Sequence, residues 1–316
     1  MSDKKPLIIL TGPTAVGKSA LSVKLAKAID GEIISADSMQ VYRHMDIGSA
    51  KITHMEMEGI PHYLIDILEP SDDFNVVRFQ TLAKEAIQHI YAKGKIPILA
   101  GGTGFYIQSV LYDIDFTETA DDGPLREQLE EFVRKEGAEA LFERLRRIDA
   151  KSCETLHPHN VKRVIRAIEF YEKTGGKRIS EHNEREHGKE SPYCFLYFVL
   201  HDERATLYER INKRVDTMLA NGLVEEVMRL KDMGCDKSLV SMQGLGYKEI
   251  LEYLDGACSL EDAVYRIKRD TRHFAKRQLT WFRRERDVTW ISRQDFKTDA
   301  QILAHMLALL SEKEIM

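Results

Sequence analysis

Residues 12–19 read Gly-Pro-Thr-Ala-Val-Gly-Lys-Ser and stand between the apolar run at residues 7–10 and a segment at residues 20–26 with helical composition. This order of strand, glycine-rich turn and helix is the context in which the G-x-x-x-x-G-K-[ST] pattern forms a phosphate-binding loop. Backbone amides and the helix N-terminus point at an anion, Lys18 adds a positive charge, and the Ser19 hydroxyl can bind Mg²⁺. The loop has no means of reading a base, so the pattern predicts linked phosphates without specifying a nucleotide.

Strand and helix patterns alternate after this loop. Residues 32–35, 63–68 and 96–100 predict strands, and residues 76–92 predict a helix that ends before Gly94. Such alternation predicts an α/β fold, a P-loop doubly wound parallel sheet with right-handed connections. Asp37 directly follows the second strand, so it is expected at the same carboxyl edge of the sheet as the phosphate loop.

Residues 115–191 carry no strand pattern and predict helices separated by glycine and proline. Residues 181–190 are highly charged without apolar periodicity, which predicts a loop. The strand pattern returns at residues 193–200. Helices are then expected at 202–220, 223–233, from Ser259 to about 286, and at 302–310, with a strand at 288–292. We therefore expect a P-loop core from residues 1–115 and 192–316, with a helical insertion domain at 116–191.

Composition excludes several classes of protein. The chain has 316 residues, is 43% apolar and carries a formal charge of −5, so a nucleic-acid partner would need a local basic patch. Its four cysteines form no C-x-x-C pair, which removes the usual zinc spacings and a disulfide framework. The longest apolar stretch, residues 194–200, is too short to span a bilayer, and no secretory signal pattern is present. We expect a cytoplasmic protein without a membrane partner.

Two basic patches meet the need for local positive charge. One lies in the insertion, and the other combines nine Lys or Arg residues with three aromatic residues at 266–286, against only Asp270 and Glu285. A solvated helix face is the alternative interpretation, but the bias in an acidic protein favours contact with nucleic acid. The insertion patch contains Arg126, Lys162, Arg163 and Arg166.

Four further side chains could take part in catalysis or ligand binding. A carboxylate at Asp37 can accept a proton or organise a metal-bound water, although a turn residue is an equally ordinary role at a strand end. Asp66 is a rival for metal binding, and spacing does not decide between the two. Arg210 and Arg214, four residues apart on one helix, can clamp phosphates from one face, or they can be solvated and paired with glutamates.

Together these residues give the chain a resemblance to the bacterial tRNA dimethylallyltransferases, also called tRNA isopentenyltransferases. The matching segments occur in order along the whole chain. They are GPTAVGKS at 12–19, DSMQVYR at 37–43, HYLIDIL at 62–68, GGTGFY at 101–106, NVKRVIRAIEF at 160–170, GLGYK at 244–248 and KRQLTWFR at 276–283.

The resemblance implies transfer of a dimethylallyl group from dimethylallyl diphosphate to the exocyclic amine of the adenosine 3′ of the anticodon, with release of diphosphate. It implies Asp37 as general base, Thr14 near the scissile oxygen, and Lys18 and Arg214 as further catalytic residues, with Mg²⁺ held by Ser19. The implied diphosphate-binding residues are Gly12, Pro13, Thr14, Ala15, Val16, Gly17, Lys18, Ser19, Arg210 and Arg214.

The resemblance also implies that the partner is the anticodon stem-loop of tRNA. The implied contact residues are Asp37, Ser38, Met39, Gln40, Thr103, Arg126, Lys162, Arg163, Val164, Ile165 and Arg166. We expect the chain to act as a monomer. The alternatives are a small-molecule or nucleotide kinase on the same scaffold, an adenylate isopentenyltransferase acting on free nucleotide, and a non-catalytic RNA-binding NTPase. The basic patches disfavour the first two, and the complete motif set disfavours the third.

Overall fold

The computed structural model describes residues 4–116 and 123–315. Two compact units make up the chain: the first comprises Met1–Leu111 and Pro192–Met316, and the second comprises Tyr112–Ser191. No helix within the described ranges is both long and apolar enough to cross a membrane.

The first unit is built on a six-stranded sheet in which every neighbouring pair of strands is parallel. The strand order is β3-β2-β4-β1-β5-β6, which confirms the doubly wound α/β prediction. The phosphate loop leaves the central strand β1, and the ends of β4 and β2 follow on one side of it. The strands are β1 Pro6–Thr11, β2 Gly31–Ala36, β3 His62–Tyr63, β4 Ile96–Gly101, β5 Cys194–His201 and β6 Val288–Ser292.

Helices flank this sheet and bury their apolar faces against it. The cluster around β1 and β5 includes Ile8, Leu21, Leu25 and Phe198, all fully buried, which is the pattern expected for a parallel sheet covered by helices. The helices of this unit are α1 Lys18–Ala28, α2 His54–Met57, α3 Val76–Ala92, α4 Gly104–Leu111, α9 Arg204–Ala220, α10 Leu223–Asp232, α11 Tyr247–Leu254, α12 Leu260–Phe282 and α13 Asp299–Glu312.

Side-chain caps begin the helices where the sequence predicts them. The Ser259 hydroxyl accepts a hydrogen bond from the Asp262 amide at 3.1 Å and starts α12, and the Asn75 side chain accepts from the Arg78 amide at 3.0 Å and starts α3. Each cap satisfies an amide that has no partner within the helix. The predicted start of α12 and both bounds of α3 are confirmed.

The strand predicted at 63–68 is wrong for most of its length, since β3 covers only His62–Tyr63. Asp66 has a positive φ of 55°, which leaves the extended conformation. Its amide donates to Gln40 O at 3.2 Å, and the Ile67 amide donates to Val41 O at 2.9 Å. The segment therefore supports the turn that follows β2 instead of extending the sheet.

The second unit contains four α-helices in its described part, α5 Pro124–Glu136, α6 Ala138–Ile148, α7 Val161–Lys173 and α8 Ile179–Gly188. The loop predicted at 181–190 is therefore wrong. Asp149 accepts hydrogen bonds from the Ser180 amide at 3.1 Å and hydroxyl at 2.7 Å, and Glu186 accepts from the Asp115 amide at 2.9 Å. Hydrogen bonds to buried carboxylates stabilise α8. The apolar pattern of the sequence does not reveal these bonds.

Candidate active site

The carboxyl ends of β1, β2 and β4 border a cavity of about 440 Å³, a volume suited to a small organic ligand. Its lining includes Thr14, Lys18 and Ser19 from the phosphate loop, Asp37 after β2, and Arg214 from α9. All four predicted catalytic residues, Asp37, Thr14, Lys18 and Arg214, therefore lie around one cavity.

Close packing explains the first glycine of the phosphate loop. Gly12 has a φ of 147°, and a Cβ atom there would lie 2.2 Å from the Leu200 carbonyl oxygen of β5. Only glycine permits this approach between main chains. Gly17 has a φ of 93° and begins α1, so the loop turns sharply and aims the start of that helix at the cavity.

Lys18 is half-buried beside the main chain of the phosphate loop. Its Nζ atom donates to Gly12 O at 2.9 Å and to Pro13 O at 2.8 Å. Burial, and secondarily the neighbouring positive charge of Arg214, lowers the pKa of Lys18 to about 7, while Asp37 opposes this change. Burial also lowers the pKa of Arg214, again opposed by Asp37. Two half-buried cations beside one carboxylate favour an anionic ligand.

Asp37 forms a turn and also lines the cavity. Its Oδ1 atom accepts from the Met39 amide at 2.8 Å and the Gln40 amide at 3.4 Å, which forms a turn. Among the described residues no donor contacts Oδ2, and Asp37 lines the cavity. Asp66 instead forms an ion pair with Lys51. The geometry therefore favours Asp37 over Asp66 for proton or metal chemistry in this cavity.

The predicted two-arginine clamp is reduced to one arginine. Arg210 pairs with Asp202 at 3.3 Å and faces a second cavity of about 250 Å³, together with Arg293 and Phe296. Arg210 and Arg214 are one helical turn apart along α9 and differ by about 40° around its axis. The two side chains therefore have different neighbours. Arg210 therefore does not line the first cavity, contrary to the predicted clamp of two arginines there.

The segment that follows Asp37 is held by motifs late in the chain. Ser38, Met39 and Gln40 line the cavity, as does Thr103 after β4. A Cβ atom at Gly244 would lie 2.5 Å from Met39 Cε, so the GLGYK motif packs directly on this segment.

A buried carboxylate orders the next turn. Glu226 accepts from the Ile47 amide at 2.8 Å, the Gly48 amide at 3.0 Å and the Tyr247 hydroxyl at 2.8 Å. Sequence reasoning missed Glu226, because nothing near it in the chain indicates these bonds.

Helix α12 contributes a wall of the cavity through Thr271, Phe274 and Gln278, none of which was predicted as a site residue. The sequence feature that could have identified them is their position in or near the KRQLTWFR motif. The basic patch on this helix divides in two. In its first half Arg266, Lys268 and Arg269 pair with Glu252, Asp216 and Asp270, respectively. In its second half and just beyond, Lys276, Arg277, Arg283 and Arg284 are exposed and pair with no described carboxylate.

The second unit carries the remaining predicted tRNA contacts. Lys162 and Arg163 are exposed at the start of α7, and Arg166 is half-buried. Arg126 pairs with Glu169 at 2.7 Å. Val164 and Ile165 are 0% and 2% exposed within the core of this unit. The prediction that Val164 and Ile165 contact tRNA is therefore wrong for their side chains, because packing encloses both.

Fold and cavity together define a P-loop α/β protein with two half-buried cations and a carboxylate around one cavity. A family model described as IPP transferase matches residues 40–285. The chain is 63% identical over 311 residues to a tRNA dimethylallyltransferase of Lachnoclostridium phytofermentans, covering 98% of this chain and 99% of the relative. It therefore belongs to the IPP transferase family.

Solved structures agree with this assignment. The full-length tRNA isopentenylpyrophosphate transferase of Bacillus halodurans has a TM-score of 0.74 at 44% identity, with 98% of both chains covered. A eukaryotic dimethylallyltransferase acting on tRNA has a TM-score of 0.83 at 30% identity, covering 98% of this chain and 80% of the other. These relatives support prenyl transfer over the kinase alternative.

Proposed function

We propose that this protein transfers a dimethylallyl group from dimethylallyl diphosphate to the exocyclic amine of the adenosine 3′ of the anticodon in tRNA. The observation that carries the proposal is the grouping of Lys18, Arg214 and Asp37 around one cavity. Two cations there suit a departing diphosphate, and the carboxylate suits an attacking amine that must lose a proton.

The phosphate loop acts on the leaving group. Breaking the allylic carbon–oxygen bond builds negative charge on the diphosphate, and donors fixed in advance stabilise that charge as it develops. Lys18, Arg214 and amides of the loop supply these donors. Thr14 is proposed to hydrogen-bond near the scissile oxygen, since it lines the cavity at the loop.

Asp37 acts on the acceptor. An adenine amine is a weak nucleophile, so a base takes its proton as the new carbon–nitrogen bond forms. The turn at Met39 and Gln40 holds one carboxylate oxygen and leaves the other to accept that proton. The adenine must leave its stack to enter the cavity, and the cavity walls keep water away from an allylic cation.

The residues present fit a magnesium ion. Ser19 and Asp37 both offer oxygen atoms to the cavity, and Mg²⁺ commonly uses one or two protein oxygens together with substrate phosphates and water. The described residues contain no cluster of three metal-binding side chains, which accords with an ion held largely by its diphosphate partner. When bound, the ion would neutralise charge on the leaving group.

The second unit is proposed to bind the anticodon stem-loop. The exposed Lys162 and Arg163 at the start of α7 suit phosphate contacts, while Ser38, Met39, Gln40 and Thr103 suit the flipped adenosine. The protein is proposed to act as a monomer. A tRNA substrate supports the proposal that the protein acts in the cytoplasm.

The test uses purified protein, Mg²⁺, unmodified tRNA and either labelled dimethylallyl diphosphate or labelled ATP. The expected result is label in tRNA from the allylic diphosphate, lost when the target adenosine is replaced by guanosine. Label transferred from ATP, and none from the allylic diphosphate, would establish the kinase alternative instead.

A further inference from the structure

Gln278 of α12 joins two loops of the cavity through the two ends of one amide. Its Oε1 atom accepts from the Thr14 amide at 2.9 Å, and its Nε2 atom donates to Gly102 O at 2.9 Å. The side chain is only 7% exposed. A buried amide that satisfies one donor and one acceptor in this way holds both partners in a defined geometry.

The two hydrogen bonds of Gln278 lie just beyond the point where pairing between β1 and β4 ends. Strands β1 and β4 pair as far as Thr11 and Gly101, and the Thr11 hydroxyl adds a bond to Gly101 O at 2.7 Å. Beyond this point the two chains separate into the phosphate loop and the turn before α4. The Gln278 amide spans the gap between them.

The fit at Gly102 is specific to glycine. A Cβ atom there would lie 2.3 Å from Gln278 Nε2, so any other residue would displace the amide. One residue further, the Thr103 amide donates to Ala36 O at 3.2 Å. A continuous path of hydrogen bonds and main chain therefore runs from Thr14 through Gln278 to the residue before Asp37.

We propose that Gln278 is a positioning residue that sets the distance between the diphosphate side of the cavity, at Thr14, and the acceptor side, at Thr103 and Asp37. This inference rests on the proposed function. Group transfer requires the reacting atoms within about 3.5 Å of each other, and a misplacement of about 1 Å can lower the rate about 100-fold. Binding of either substrate alone does not require this distance between the two sides of the cavity.

The first test is the substitution Gln278→Met, which removes both hydrogen bonds at similar size. We expect kcat for transfer to fall about 100-fold, with the affinities for inorganic diphosphate and for tRNA within about threefold of wild type. The matched control is Gln80→Met, because Gln80 of α3 is also buried and donates to a main-chain carbonyl, Ser109 O, at 2.7 Å. That control should lose stability without losing kcat.

The second test is Gln278→Glu, which remains informative if the methionine variant fails to fold. An ionised carboxylate accepts from Thr14 but cannot donate to Gly102 O, whereas the protonated acid can do both. Burial raises the pKa of such a carboxyl group. The ratio of variant kcat to wild-type kcat should therefore rise as pH falls from 8 to 6.

Three outcomes overturn the inference: a Gln278→Met kcat within threefold of wild type, an equal loss in Gln80→Met, or a Gln278→Glu ratio that is flat with pH. Failure of the proposed function looks different, because the wild-type protein itself would then transfer no label from dimethylallyl diphosphate.

Discussion

Diphosphate binding at pH 8 is expected to draw a proton from solution onto Lys18. Burial and Arg214 lower the pKa of the free lysine to about 7. One pH unit above that value, about nine-tenths of the lysine is neutral. Negative charge from a bound diphosphate raises the pKa of the amine, so the complex holds a proton that the free protein lacks.

The size of the effect follows from the same pKa. Uptake through Lys18 should be about 0.9 proton at pH 8, about 0.5 at pH 7 and about 0.1 at pH 6. The protonated lysine is the form that binds, so affinity is full below pH 7 and falls about tenfold per pH unit above it, until the pKa of the complex is reached. Calorimetric titration with inorganic diphosphate, in two buffers of different ionisation enthalpy, counts the protons.

Lys18→Met is the control for this experiment. Methionine fills a similar volume without a titrating group, so any uptake that remains belongs to the ligand and to other residues. Subtracting the variant from the wild type isolates the contribution of Lys18. A difference near zero at pH 8, or one that does not change between pH 6 and pH 8, would refute the reasoning from burial.

Three further predictions test the remaining assignments. Asp37→Asn should lower transfer about 10²- to 10⁴-fold with tRNA affinity in filter binding nearly intact, and near-normal turnover would remove Asp37 as the base. Arg214→Ala should weaken diphosphate binding more than tenfold in calorimetry, whereas Arg210→Ala should change it less than about twofold; equal effects would contradict the separation of the two cavities. Replacing Lys162 and Arg163 by Ala should reduce the slope of log affinity for tRNA against log salt by about 1 to 2, and an unchanged slope would show that neither residue contacts phosphate.

Much of the fold could be predicted because its signals are local. Helix α3 follows from helical periodicity that ends before Gly94, and α12 follows from the cap at Ser259. Helix α8 shows the limit of such signals. Its stability depends on Asp149 and on the Asp115 amide, which lie about 30 and 70 residues away in the chain, so a charged segment without periodicity was expected to be a loop.

The site divides in the same way. Spacing in the sequence alone determined the phosphate loop and the position of Asp37 at the end of a strand, because strand, turn and helix follow one another within a few residues. Tertiary structure decided the rest. It turned Arg210 toward Asp202, paired Asp66 with Lys51, enclosed Lys18 so that its pKa falls, and brought Gln278 between two loops. Each of these depends on which atoms surround a side chain after folding, and those atoms come from distant parts of the chain.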